Sequence, residues 1–321
     1  MPMVRRFEPI SSWTDGDFVE GYALVFRKER RQDKKGRDYL DLELADARTS
    51  VIGKVWPDSP ALDASFEEKD FVVFKGTAQV YRGTLQVTLD FCRRVTDKDR
   101  QDGFDEKEYV PTTPEDMGDL KQRLAAIFPT KIKRPEMKRL VEEALSRFGE
   151  ALTNHPAAKT IHHAYRGGLL EHVVTMSELS ENVCDQYPEI DRDLVLTGVL
   201  FHDLGKIREL GPMPNNDYTF EGQMLGHITI GQAMLRECAA AAELPENLLL
   251  HVEHLVLSHH GKYEYGSPVE PSTPEAFVLS AIDGIDSKLN QLRQVKRRGG
   301  KGFQYLRPMG RSVFLDGPDK S

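Results

Sequence analysis

From Asp17 to Arg94 the apolar residues alternate with polar ones or gather in short β-branched and aromatic runs: DFVEGYALVFRKE, RDYLDLELAD, TSVIGKVW, DFVVFKGTAQVY and GTLQVTLDFCRRV. A period of two suits strands whose successive side chains face opposite ways, so five short strands are predicted. Turn formers separate them: KKGR at 34–37, DAR at 46–48 and YRG at 81–83, while residues 59–68 supply a short helix between the third and fourth strands. Five strands with that interruption predict a small OB-type barrel, a fold that grips single-stranded nucleic acid.

Residues 96–117, TDKDRQDGFDEKEYVPTTPEDM, are polar and acidic and contain two prolines, which reads as a linker. Beyond it the period lengthens to that of amphipathic helices: DLKQRLAAIF, EMKRLVEEALSRFG, LLEHVVTMSELSENV, DLVLTGVLFHDLG, IGQAMLRECAAAAEL, ENLLLHVEHLVLSHH and PEAFVLSAIDGIDSKLNQL. The expected architecture is therefore multidomain: an all-β OB-type barrel over 1–95, a linker over 96–117, and an all-α domain over 118–321 that ends in an irregular arm with a short strand.

Composition narrows the function. No stretch approaches the roughly 20 apolar residues of a membrane span, and no apolar core follows the first basic residues as in a secretory leader, so a cytoplasmic protein is expected. Cys92, Cys184 and Cys238 are far apart and suit neither a disulfide framework nor a thiolate zinc site. The net charge of -8 argues against a protein coated with cations for duplex binding. Residues 1–95 hold 16 Lys and Arg against 16 Asp and Glu, so the acidity belongs to the rest of the chain. Within the barrel segment Arg27, Lys28, Arg30, Arg31, Lys34, Lys35 and Arg37 crowd the first hairpin, with Tyr39, Trp56 and Tyr81 on nearby strands. Cations with interleaved aromatics serve backbone contact and base stacking, although a solvated hairpin over core aromatics has the same composition.

All ten histidines follow Asn154. His172 sits in the helix LLEH, His202-Asp203 closes an apolar helix in LFHDLGK, His227 opens one in GHITIG, His259-His260 ends another, and Asp283 lies inside VLSAIDGID. A single histidine in a helix is most often structural. A set of polar groups embedded in apolar helices, however, needs compensation, and a divalent cation held between helices provides it.

In this order the motifs HHAYRGGLLEH, FHDLGK, GHITIG, SHHGKYEYGSP and AIDGID, behind an OB-like segment, resemble the HD superfamily of metal-dependent phosphohydrolases. More narrowly they resemble the YhaM family of bacterial 3′-to-5′ exoribonucleases. The resemblance covers nearly the whole chain and implies a binuclear site. His172, His202, Asp203 and Asp283 would form its core, Asp203 would bridge, and His227, His259 and His260 would complete the second position. Asp286, one turn beyond Asp283, is the less favoured alternative by its place in the motif. Members with a GYP tripeptide carry a glutamate one turn before the first histidine, where this chain has Gly168, so a third ion is not expected.

The implied ions are two divalent cations, manganese first, with iron, zinc, cobalt or magnesium as alternatives. Two cations about 3.5–4 Å apart activate a bridging water, whose hydroxide would attack the terminal phosphodiester and release a nucleoside 5′-monophosphate. Asp203 and Lys206 are the catalytic candidates, Lys206 being placed to reach a phosphate oxygen. His163, Tyr165, Arg166, Lys262 and Tyr263 are candidate substrate contacts, with loop packing an equally good account of Tyr165. His251 and His254 are expected on the helix surface or behind the ligands, and His155 at the periphery.

The implied partner is single-stranded RNA or DNA, and assembly into a homo-oligomer around a substrate path is a further expectation. Two competing functions remain at this stage. One is an HD-type hydrolase of small nucleotides or cyclic dinucleotides, against which stand the OB-like segment and EYGSP in place of GYP. The other is a nucleic-acid-binding scaffold with a silent HD domain, which would be expected to have lost a ligand.

Overall fold

The computed structural model describes residues 7–63, 65–81, 83–159, 163–297, 300–306 and 309–316, and the chain divides into two compact units, Met1–Thr112 and Thr113–Ser321. In the first unit β1 (Phe18–Gln32), β2 (Asp38–Ala45), β3 (Ser50–Val55), β4 (Phe71–Tyr81) and β5 (Thr84–Arg94) form a closed barrel in the order β1-β2-β3-β5-β4. All neighbours are antiparallel except β3 and β5, which pair in parallel through Ile52–Gln86, Gly53–Val87 and Lys54–Thr88. The alternation in sequence follows from this closure. Leu40, Leu42, Leu44, Val51, Val55, Val72, Phe74, Val87 and Leu89 fill the interior, and the residues between them face out. The five-stranded OB-type barrel expected from the alternation is present, and a turn of 3₁₀ helix at Pro60–Asp63 stands where a short helix was predicted.

The stretch 96–117 is more ordered than the linker it was expected to be. Helix α1 (Asp97–Gln101) follows β5 at once, and Asp99 accepts from both the Thr96 amide (2.8 Å) and hydroxyl (2.7 Å) while pairing with Arg93 (2.7 and 2.8 Å). Phe104 and Tyr109 stack on one another (5.3 Å between centroids), and Phe104 also meets Tyr22 and Phe71 of the barrel. Two aromatic rings in a polar stretch bury enough apolar area to hold residues 96–112 on the first unit.

The second unit is helical: α2 (Met117–Ile127), α3 (Pro135–Asn154), α4 (Gly168–Gln186), α5 (Arg192–Phe201), α6 (Lys206–Glu209), α7 (Phe220–Ala241), α8 (Glu246–Ser258) and α9 (Pro274–Arg297). Seven of these are the helices read from periodicity; α6, a single turn, was too short to show. Its core runs through α4, α5, α7, α8 and α9, with Val173, Met176, Val195, Val199, Met234, Val252, Leu255 and Leu279 nearly inaccessible. A hairpin of β6 (Phe303–Leu306) and β7 (Arg311–Phe314) forms the C-terminal arm. No helix among the described residues is long and apolar enough to cross a membrane.

Candidate metal centre

The apolar helices end or bend where the polar residues lie. His202 caps α5, His259 caps α8, and α7 kinks at Gly226 (φ 70°) so that His227 starts its second segment. Close backbone approach brings these ends together: a Cβ on Gly205 would lie 2.0 Å from the His227 carbonyl oxygen. Only glycine lets the turn after Asp203 pack against α7.

Asp203 sits at the centre with its two oxygens facing different groups. His172 Nε2 lies 3.1 Å from His202 Nε2 and 3.5 Å from both Asp203 Oδ2 and Asp283 Oδ1, and His202 Nε2 is 3.4 Å from the same Asp203 oxygen. On the other side, Asp203 Oδ1 is 3.6 Å from His227 Nε2 and 3.8 Å from His259 Nε2. His260 joins the latter pair, the ligand atoms of His227, His259 and His260 lying within 4.8 Å of one another. The seven residues singled out as metal ligands are thus brought together by five helices or their ends.

The hydrogen bonds on the far side of each ring decide what the near side can do. Nδ1 of His172 meets Asp286 Oδ2 at 2.6 Å, that of His202 meets the Val199 carbonyl at 2.8 Å, and that of His227 meets Glu209 Oε1 at 3.0 Å. Nδ1 of His259 meets the Val256 carbonyl at 2.7 Å and that of His260 the Tyr265 carbonyl at 2.8 Å. Every partner is an acceptor, so all five Nδ1 atoms carry the proton and donate, and in the neutral rings the five Nε2 atoms are left as lone pairs. Nitrogens without protons 3.1 Å apart cannot hydrogen-bond each other; a cation between them can satisfy both. The same need shows in Asp203 Oδ1, His227 Nε2 and His259 Nε2, which are buried with no hydrogen-bond partner among the described residues. Leaving such groups bare costs about 1–3 kcal/mol each, and the donor set of imidazole and carboxylate suits a divalent ion.

Electrostatics around Asp203 favour its charged form. Burial opposes ionisation, but the Lys206 ammonium, 2.6 Å from Oδ2, holds its carboxyl well below the usual range. His259 is pushed the other way: burial keeps it neutral and able to ligate.

The structure separates the two neighbouring aspartates. Asp283 faces the open side, while Asp286 is buried behind His172 and also bonds His163 Nε2 at 2.9 Å. His163 and Tyr165 therefore do not stand where substrate contacts were expected. His163 is 1% exposed, and with Tyr165, Glu171, Thr113 and Asn290 it forms a buried network at the back of His172. Arg166 is turned to Asn154 (2.9 Å). His162 lies outside the described residues. Lys262 does line the open cleft, but it is Tyr265 rather than Tyr263 that lines it there. His155 bonds the Leu210 carbonyl, and His254 accepts from Ser272.

Glu209 and Glu171 have no role assigned from sequence, and Asp286 only that of the less favoured alternative to Asp283. A carboxylate six residues after Asp203 in HDLGKIRE is the available sequence signal for Glu209.

On the barrel, Arg27, Lys28, Arg30, Arg31 and Arg37 are each within an ion pair, with Glu29, Glu67, Asp38, Asp41 and Asp33 among the partners. The run offers less free positive charge than its composition promised, since only Lys34 and Lys35 of the seven have no ion pair among the described residues. Tyr39 and Trp56 do form a ring pair (5.1 Å), with Lys54 over Tyr39, whereas Tyr81 stands at the β4–β5 turn.

Inward-facing lone pairs with no proton donor to meet them define a helical domain built for cations, here accompanied by a five-stranded barrel. Two family models match the chain, one described as HD domain over residues 169–288 and one as Putative helicase over 119–188. The 3′-5′ exoribonuclease YhaM of Shouchella clausii is 35% identical over 283 residues, covering 88% of this chain and 88% of that protein. The protein of the same name from Bacillus subtilis is 32% identical over 283 residues, covering 88% and 89%. The chain belongs to the YhaM family. Among solved structures, the second OB-fold domain of replication protein A from Methanococcus maripaludis is 19% identical and covers 27% of this chain and 93% of that one, with a TM-score of 0.23, a likeness too slight to carry weight.

Proposed function

We propose that this protein is a divalent-metal-dependent phosphodiesterase that trims single-stranded RNA from its 3′ end and releases nucleoside 5′-monophosphates. The observation that carries the metal-dependent chemistry is the orientation of five histidines that donate through Nδ1 to an acceptor, four of which, His172, His202, His227 and His259, set Nε2 within 3.4–3.8 Å of an Asp203 oxygen. Substrate and direction are supported by membership of the family whose relatives are named 3′-5′ exoribonucleases.

His172, His202, Asp203 and Asp283 would hold one ion and His227, His259 and His260 a second, with Asp203 shared through its two oxygens; manganese is the ion proposed. Divalent ions there supply an activated water and neutralise phosphate charge. The chain's own residues do the rest. Asp286, Glu209 and three backbone carbonyls hold the imidazoles in one tautomer, and the charged Asp203 is kept so by Lys206. Single-stranded DNA is a second substrate of the same geometry, and the Tyr39–Trp56 pair of the barrel is proposed as a stacking surface for either. The scaffold reading is not favoured, because all seven ligand residues are present and converge.

The test is a 5′-labelled single-stranded RNA incubated with manganese or with EDTA and resolved on a gel. A ladder that shortens from the 3′ end with manganese and is absent with EDTA is expected. An intact oligonucleotide, under conditions where a generic phosphodiester is hydrolysed, would move the assignment to small nucleotides.

A further inference from the structure

The cleft that opens from Asp203 and Asp283 has a volume of 970 Å³ and two unlike ends. Phe277 and Lys288 both line it from α9, six residues before and five after Asp283, hence about 16 Å apart along the helix axis. At the Phe277 end, Gly261 backs onto Ser280, which brings in the segment carrying Tyr265. The rings of Phe277 and Tyr265 line it there, and among the described residues the cation of that segment, Lys262, is paired with Glu264 at 3.2 Å. At the other end the β6–β7 hairpin packs on the last turn of α9, where Leu315 and Val295 both meet Gly300, and presents Arg311 to the cleft.

Lys288 and Arg311 differ from the other cations of the cleft. Lys206 is committed to Asp203, at 2.6 Å. Among the described residues neither Lys288 nor Arg311 has a carboxylate partner; Arg311 donates only to the Met309 carbonyl, at 3.3 Å. The Lys288 ammonium is drawn back along the helix, 3.7 Å from where a Cβ on Gly284 would stand, beside Asp283. Two cations without counterions at one end of a cleft, and rings at the other, match a ligand that carries phosphates on one side only. The 3′ end of a strand is such a ligand, since the terminal nucleoside has no phosphate beyond its own 5′ one.

We propose that Lys288 and Arg311 hold the backbone phosphates immediately upstream of the scissile bond, so that the C-terminal hairpin is part of the substrate cleft and the Phe277–Tyr265 end receives the terminal nucleoside. This rests on the 3′-exonuclease reading above.

The experiment measures binding of a 5′-fluorescein-labelled single-stranded 12-mer RNA by anisotropy in EDTA over a series of salt concentrations, with gel-based turnover in manganese alongside. The protein compared is Lys288→Gln/Arg311→Gln, with Lys121→Gln/Lys138→Gln as a control that removes equal charge from exposed positions not lining the cleft. Loss of two phosphate contacts is expected to lower the slope of log K against log salt by about 1.4. KM for the 12-mer should rise roughly 10- to 100-fold, and the control should retain the wild-type slope. An unchanged slope and KM in the cleft variant, or an equal fall in both variants, overturns the inference while wild-type trimming stands. A wild-type protein that leaves the RNA intact overturns the exonuclease reading and this inference with it.

Discussion

Replacing Asp203 by Asn is expected to lower RNA turnover by about a thousandfold or more and to abolish stoichiometric manganese binding. The side chain keeps its volume, so the loss is one of charge and of acceptor atoms. One oxygen of Asp203 faces His172 and His202 and the other faces His227 and His259, so an amide must turn its NH₂ toward one of the two groups. There it donates to a bare imidazole nitrogen and occupies the place of an ion. Both proposed ion positions share this residue, which is why its loss exceeds that expected for any single histidine. Steady-state trimming assays with equilibrium dialysis check it, and a variant that keeps a tenth of wild-type turnover would remove Asp203 from the bridge.

Gly205→Ala is expected to have the second largest effect, and through the backbone alone. The added methyl would stand 2.0 Å from the His227 carbonyl oxygen and 2.6 Å from the Gly231 amide nitrogen, neither of which can swing aside as a side chain does. The turn after Asp203 must then separate from α7. An unfolding penalty of about 3 kcal/mol or more follows, or a fall in midpoint of roughly 6–12 °C for a unit of this size. Activity should fall further than stability, since the same displacement pulls His227 from Asp203. Thermal melts and trimming rates at a temperature well below the midpoint separate the two effects; an unperturbed melting curve would mean that the close approach is not maintained in solution.

What could be read in advance follows from the range of the interactions involved. The long helices carry their own signal, because an apolar stripe at a period near 3.6 is local, and the candidate ligands His202, Asp203, His227, His259 and His260 stand at ends or bends of those stripes where polarity breaks the pattern, while His172 and Asp283 lie within theirs. Asp283 was separable from Asp286 only by motif, since both lie on α9; their different surroundings come from α4, far away in sequence. The interior placement of His163 is hidden from the sequence for the same reason. Its neighbours Tyr165 and Arg166 suggested a loop open to substrate, whereas Asp286 and Asn290, more than a hundred residues on, draw it into the interior. On the barrel, the run from Arg27 to Arg37 looks free in one dimension. Cross-strand register sets Glu43 opposite Arg27 and Asp41 opposite Glu29, and the acids of β2 neutralise the cations of β1. Phe104 and Tyr109 were the visible clue that residues 96–112 are more than a linker, outweighed by the polar residues around them.

The most direct test of the central claim is an anomalous difference map at the manganese edge from crystals grown with manganese. The account predicts two peaks, one bounded by His172, His202, Asp203 and Asp283 and one by Asp203, His227, His259 and His260, with an Asp203 oxygen toward each. A map with no peak beside Asp203 in crystals of active protein would contradict it.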